Sequence, residues 1–234
     1  MKYLIIILAS LLAVSTSLAD SVTLDGQNDM DDGYTDGNSQ TTPRGTETWM
    51  YLMCGLSTCT YYGFLKFDLS GISGNIDSVS LKLHRHKPNA SDQMYFYRAT
   101  RDWTEDQFTW DDAKTSPDTV EWTSGGGDYN STKIDSLSIV GGASFNQDVY
   151  CQRSDGGGLN ELVQDWVDGT YNNYGIVIKS DLLGFGDTVY IYSSENFNES
   201  LYPRPKLYIE YTPSQSESEI PFRRKRLIET QGVN

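Results

Sequence analysis

Two histidines, His84 and His86, are the only imidazoles in the chain. They stand two apart in an alternating segment, so on a strand both project from one face and could reach a single metal ion. No third ligand accompanies them, and an exposed polar strand face accounts for the pair. Cys54 and Cys59 have a spacing found in zinc sites, but no suitable third and fourth ligands follow. Nothing matches the Gly-x-Ser-x-Gly turn of serine hydrolases. Two carboxylates about 5 to 9 Å apart suffice for glycoside hydrolysis. With 32 Asp and Glu in the chain, such pairs arise by chance and identify nothing.

Binding chemistry is better represented. The stretch from Asp25 to Gly33 packs oxygen ligands and flexible glycine into one loop, which suits calcium. Its candidate ligands are Asp25, Asn28, Asp29, Asp31 and Asp32, without the spacing of an EF-hand. Bound calcium would hold the first strand to the rest of the fold, because a ligand of the folded state stabilises it. Sugar recognition calls for exposed aromatic rings beside polar groups. Tyr61, Tyr62, Tyr129, Tyr171, Tyr174 and Trp49 are the candidates in a chain with 16 tyrosines. Among three cysteines, Cys54 and Cys59 form the shortest closure as a disulfide, leaving Cys151 free or paired between molecules. Asn89, Asn130 and Asn198 each begin an Asn-x-Ser/Thr acceptor sequence for glycosylation.

Charge and chain ends narrow the classes. With 18 basic residues against 32 acidic, the net charge is −14. Five of the bases, Lys2 and Arg223-Arg224-Lys225-Arg226, lie near the ends, so the middle is more acidic still. Such a field repels phosphate backbones and argues against a nucleic-acid partner. Residues 1–19 read as an export signal. Lys2 precedes an apolar run from Leu4 to Val14, and Ser17-Leu18-Ala19 offers a small-x-small cleavage pattern. That run is shorter than the roughly 20 residues a membrane span needs, and no later run is longer. The expectation is a secreted or cell-surface-associated protein with no membrane span. Residues 213–234 form a polar and then basic tail that cannot offset its chain entropy. In a eukaryotic host, Arg223–Arg226 would also suit a furin-type convertase.

The elements that must position these groups are strands. In Ser78–His86, Val79, Leu81 and Leu83 share one face, and Ser80, Lys82, His84 and His86 the other. Residues 64–67, 94–99, 175–179, 189–192 and 206–211 alternate in the same way. Glycine, asparagine and aspartate clusters separate them. One segment has helical spacing: Leu159, Leu162, Val163, Trp166 and Val167, with Gly169 as its stop. The fold class expected is all-β, an antiparallel sandwich with one short helix, in a single domain over residues 20–212.

Several strings in order carry a family resemblance. They are Lys66-Phe67-Asp68-Leu69-Ser70, then Tyr97 to Glu105, Phe108-Thr109-Trp110, Leu162 to Gly169, and Asn173 to Ile176. Ser193-Ser194-Glu195 and Arg204-Pro205-Lys206-Leu207 complete them. Over roughly residues 22–212 the chain resembles the disaggregatase-related (DNRLRE-type) domains and is similar to carbohydrate-binding module family 96. The resemblance implies a jelly-roll-like β-sandwich of the kind found in secreted surface proteins and in polysaccharide-degrading enzymes. The segment before the Lys-Phe-Asp-Leu-Ser strand departs from the family through Cys54 and Cys59. The acidity of the chain also departs from that of binders of anionic polysaccharide such as alginate.

Most of these motif residues have structural uses. Asp68 can accept turn amides, Trp103, Trp110 and Trp166 can fill the core or cover sandwich ends, and Glu195 can pair with Arg101 or Arg204. The functional expectation is a secreted, non-catalytic module that binds extracellular polysaccharide or cell-surface glycan. The alternative is a self-assembling structural subunit of a matrix, filament or surface layer. A matrix-degrading lyase or hydrolase is a third possibility.

Overall fold

The computed structural model describes residues 18–54, 59–86, 92–139, 147–151, 158–180, 189–196, 198, 200–201 and 203–214. The leader up to Ser17, the Asn89 acceptor and the basic tail lie outside these residues. No helix among the described residues is long and apolar enough to cross a membrane.

Strands dominate, all paired antiparallel. β1 (Asp20–Leu24), β13 (Lys206–Pro213), β5 (Gly74–His86), β12 (Val189–Tyr192) and β3 (Trp49–Cys54) lie side by side, and β10 (Gln147–Cys151) joins β5. β4 (Cys59–Phe67), β11 (Ile176–Ser180), β6 (Asp92–Ala99) and β9 (Tyr129–Ile139) form the facing sheet, with β2 (Met30–Asp36) along β4. β3 belongs to both. Its first residues pair with β12 and its last two with β4, so one strand turns the corner between the sheets.

The alternation read from sequence places the core. Val79, Leu81 and Leu83 of β5 face Leu65, Phe67, Met94, Phe96 and Ile178 across the gap, all buried. α1 (Leu159–Val167) closes one end of the sandwich. It buries Leu159, Leu162 and Val163, while Gly169 follows it in the left-handed region as a stop. The helix is fixed to β5 by side chains. Gln164 Oε1 accepts from the Ile76 N–H and Asn160 Oδ1 from the Val79 N–H.

A second apolar cluster lies on the outer face of the β4 sheet. The excursion between β6 and β9, containing the short pair β7 (Asp112–Lys114) and β8 (Val120–Glu121), folds back over Phe64 and Val177. Trp103 and Trp122 are its anchors, and both buried indoles find acceptors: Trp103 Nε1 donates to Tyr174 O and Trp122 Nε1 to Thr109 O. Gly127 permits the close approach. Its φ is 122°, and a Cβ there would sit 2.3 Å from the Phe64 ring. The same clasp carries Arg101, whose guanidinium pairs with Asp128.

Met30–Asp36 is a strand, not a loop. The acidic stretch expected to run from Asp25 to Gly33 as one flexible loop therefore ends at Asp29. Asp31 and Asp32 then point to opposite faces of β2.

Candidate functional site

Outer-face positions of the β4 sheet carry rings around one ammonium. On β4 that face presents Tyr62, on β11 Lys179, and on β6 Tyr95 and Tyr97; the register sets Lys179 directly opposite Tyr95. The excursion covers the middle of this face and leaves one side half-exposed. There Lys179 Nζ lies 4.3 Å from the Tyr62 ring centroid and 4.8 Å from that of Tyr129. It also donates a 2.7 Å hydrogen bond to the Tyr129 hydroxyl. Trp110 packs on Tyr62 at 5.4 Å and Tyr97 on Tyr129 at 5.1 Å. At the margin, Lys133 Nζ sits 3.8 Å over Tyr95.

Burial works against the Lys179 charge. The Tyr129 hydrogen bond and the neighbouring phenols outweigh it and hold the pKa above the ordinary lysine value. Among the described residues Lys179 makes no ion pair. An ammonium framed by ring faces and lacking a carboxylate partner is notable in a chain of net charge −14. Flat rings offer stacking surface to the C–H faces of a pyranose, and the ammonium and phenols offer hydrogen bonds to its oxygens.

Of the five tyrosines singled out from sequence, the structure brings Tyr62 and Tyr129 together here and separates the rest. Tyr61 points the other way from β4, into a cluster with Tyr34 and Tyr51 at ring distances of 6.1 Å each. Trp49 joins that second cluster through Tyr190. Tyr171 is 42 % exposed and lies under the Arg98 guanidinium at 4.0 Å. Tyr174 packs under the excursion, where its hydroxyl accepts from Asn172 Nδ2. Tyr95, Tyr97 and Lys179 are not among the sequence candidates, and Trp110 is there assigned to packing alone. Strand parity within the recognised segments 94–99 and 175–179 was the signal that could have found three of them.

An open groove of about 790 Å³ lies at the α1 end of the sandwich. Met30, Phe67, Leu69, Ile72 and Val167 contribute its apolar lining. Gln27, Asn28, Asp31, Lys66, Asp68, Ser70 and Asn173 supply polar groups, and Trp166 forms part of the wall. Asp68 serves the turn as expected: Oδ1 accepts from the Ser70 N–H, a bond that holds its pKa below the usual carboxylate range.

The acidic residues expected to share calcium are dispersed. Asp25 accepts from Lys206 Nζ at 2.8 Å and Asp31 pairs with Lys66 at 2.7 Å. Asp29 Oδ2 accepts from the N–H groups of Asp25 and Gly26. Asp32 turns inward, has no exposed surface, and accepts from the Ser194 N–H and hydroxyl. Its carboxylate meets Glu105 and Glu195, with one oxygen from each of the three within 4.8 Å of the others. Burial, then the neighbouring Glu195 and Glu105 charges, holds the Asp32 carboxyl well above its ordinary range. Burial likewise pushes Glu105 up to about 7, against the Asp32 N–H that it accepts. Asp32 has no exposed surface, whereas Glu105 and Glu195 are partly exposed.

Two expectations about single residues change. Glu195 pairs with neither Arg101 nor Arg204. Arg101 is taken by Asp128, Arg204 Nε donates to the Asn196 carbonyl, and Glu195 is drawn to Asp32 by the turn at 193–196. His84 is buried, not exposed, because Tyr192 packs on its ring at 5.5 Å. The Cys54 and Cys59 backbones face each other as Cα partners. Asn130 is exposed at the start of β9 and Asn198 is partly exposed.

Two facing antiparallel sheets with one short helix define the architectural class, the all-β sandwiches, here with a half-open aromatic sheet face. Within that class, the model of Carbohydrate-binding module family 96 matches residues 25–131 of this chain. The match takes in Tyr62, Tyr95, Tyr97, Trp110 and Tyr129 and most of the groove lining, while Lys179, α1 and Asn173 lie beyond it. It supports carbohydrate binding. No curated protein matches the chain.

Proposed function

We propose that this chain is a secreted, non-catalytic module that holds extracellular polysaccharide or cell-surface glycan against the outer face of the β4 sheet. The observation that carries the reading is the Lys179 ammonium set among the rings of Tyr62, Tyr97 and Tyr129. Tyr62, Tyr129 and Trp110 stack on sugar rings, while Lys179 and the phenols hydrogen-bond to sugar oxygens. The family match over residues 25–131 supports the ligand class.

Binding of this kind needs no metal or proton transfer. The Asp32 carboxyl, raised well above its ordinary range, has no exposed surface with which to meet a sugar.

Affinity electrophoresis and calorimetry against a panel of neutral and acidic polysaccharides test the proposal. Retention by at least one polymer is expected, with at least tenfold weaker binding when Tyr62→Ala and Tyr129→Ala are combined, since single aromatic anchors dominate such contacts. Absence of binding to the whole panel at millimolar saccharide would overturn it.

A further inference from the structure

We infer that the groove at the α1 end is a second glycan site, separate from the aromatic face and selective for uncharged sugar units; this rests on the reading of the chain as a glycan-binding module.

The two sites are separated by construction. Tyr62 and Lys66 lie on the same face of β4, four residues and so about 13 Å apart. Between them Phe64 is roofed by Trp103, Phe108 and Trp122. A sugar on the aromatic face therefore cannot slide along the strand into the groove.

The groove has the size of a ligand cleft, about 790 Å³ against the roughly 300–1,000 Å³ usual for small-molecule sites. Its walls are fixed before any ligand arrives. Asn173 Nδ2 donates to Phe67 O and its Oδ1 accepts from the Gly175 N–H, and the Asp68 N–H donates to Asp29 O at 2.8 Å. Other groups remain uncommitted. Gln27 and Asn28 side-chain amides make no hydrogen bond to the described residues. The Trp166 indole N–H is buried without an acceptor. Free planar amides and a carboxylate beside an indole and an apolar floor match a pyranose, which offers adjacent hydroxyls on its rim and C–H groups on its face.

Charge sets the selectivity. Lys66 is neutralised by Asp31 and its ammonium also donates to Trp103 O. Asp68 keeps its negative charge. Next to the groove, a smaller depression sharing Asp31 and Lys66 adds Asp102, Glu105 and Asp106. This end repels uronate or sulfate groups, whereas the Lys179 side of the aromatic face carries an ammonium without a counter-charge. Uncharged units therefore occupy the groove.

One labelled spectrum of the mature protein tests this, because Trp166 reports on the groove and Trp110 on the aromatic face. ¹⁵N–¹H indole resonances, assigned by triple-resonance methods, are followed during titration with hexasaccharides of glucose, mannose, galactose and xylose, and with mannuronate hexasaccharide. The expected result is a saturable shift of the Trp166 resonance with at least one neutral hexasaccharide and none with mannuronate. Asn28→Ala and Asp68→Asn should each weaken that titration at least fivefold; Asn at position 68 can still accept the Ser70 N–H. Shifts confined to Trp110 would overturn the second site and leave the first intact. A Trp166 shift with mannuronate would overturn the charge selectivity, and silence at both indoles would remove both readings.

Discussion

Asp32 and Glu105, 73 residues apart in sequence, meet at the sandwich seam, where the Asp32 N–H donates to Glu105 Oε1 at 2.8 Å while the two carboxylates share one crowded space with Glu195. The strand β2, the excursion and the turn after β12 are joined at this point. Three acids cannot all ionise there at low cost, so the contact is sensitive to protons.

Stability should fall as pH rises through this contact. Glu105 goes from about 4.5 ordinarily to about 7 in the folded chain, so below 4.5 both states hold the proton and nothing is lost. Between 4.5 and 7 only the unfolded chain releases it, and folding weakens by on the order of 1 kcal/mol once solvent screening is allowed for. Asp32 shifts in the same direction. Asp68 and Asp128, held below their ordinary range, act oppositely in stronger acid. Urea melts should show greater stability at pH 5 than at pH 8, and Glu105→Gln should flatten that difference by raising the pH 8 value.

Gly127 tests the roof over Phe64. Alanine there combines a left-handed backbone with a methyl group 2.3 Å from the ring. The expected loss is about 2–3 kcal/mol, from strain and displacement of the ring together. Thermal melts measure it, and a change below 0.5 kcal/mol would mean that the excursion is not clamped as described.

Lys179→Met keeps the hydrocarbon stem among the rings and removes the charge. If the ammonium contacts sugar oxygens, affinity for the polysaccharide found in the screen should drop about tenfold, while the melting temperature changes little. Unchanged affinity would move the contact to the rings alone.

Cys54 and Cys59 should form a disulfide under oxidising conditions. Directly opposed residues of an antiparallel pair have Cα atoms about 4.5–5.5 Å apart, inside the range a disulfide spans. Alkylation of the unreduced, denatured protein should then label only Cys151, and peptide mapping would locate the link. Labelling of all three cysteines would rule it out.

The residues explain what was legible. Strict alternation in 78–86 and 206–211, and the 3-4-7-8 spacing from Leu159, gave the helix to the residue and most of both strands, although β5 starts earlier at Gly74 and β13 runs on to Pro213. Short-range signals of this kind survive without tertiary context. β2 was misread because an acidic, glycine-containing segment looks like a loop until β4 supplies its partner. His84 seemed exposed on the same grounds, since neither Tyr192 nor β10 can be seen from β5 alone. Tyr62 and Tyr129 were named, but so were Tyr61 and Tyr174. One residue of strand register separates a surface ring from an inward one, and 16 tyrosines leave composition unable to choose.

The first and last strands lie side by side, with Asp20 opposite Tyr211 and Leu24 opposite Leu207. Both chain ends thus leave the sandwich from one corner. A tether at either end would pull these strands apart one hydrogen-bonded pair at a time, like opening a zip. Tension on either end would therefore load that edge before it reached the clasp over Phe64.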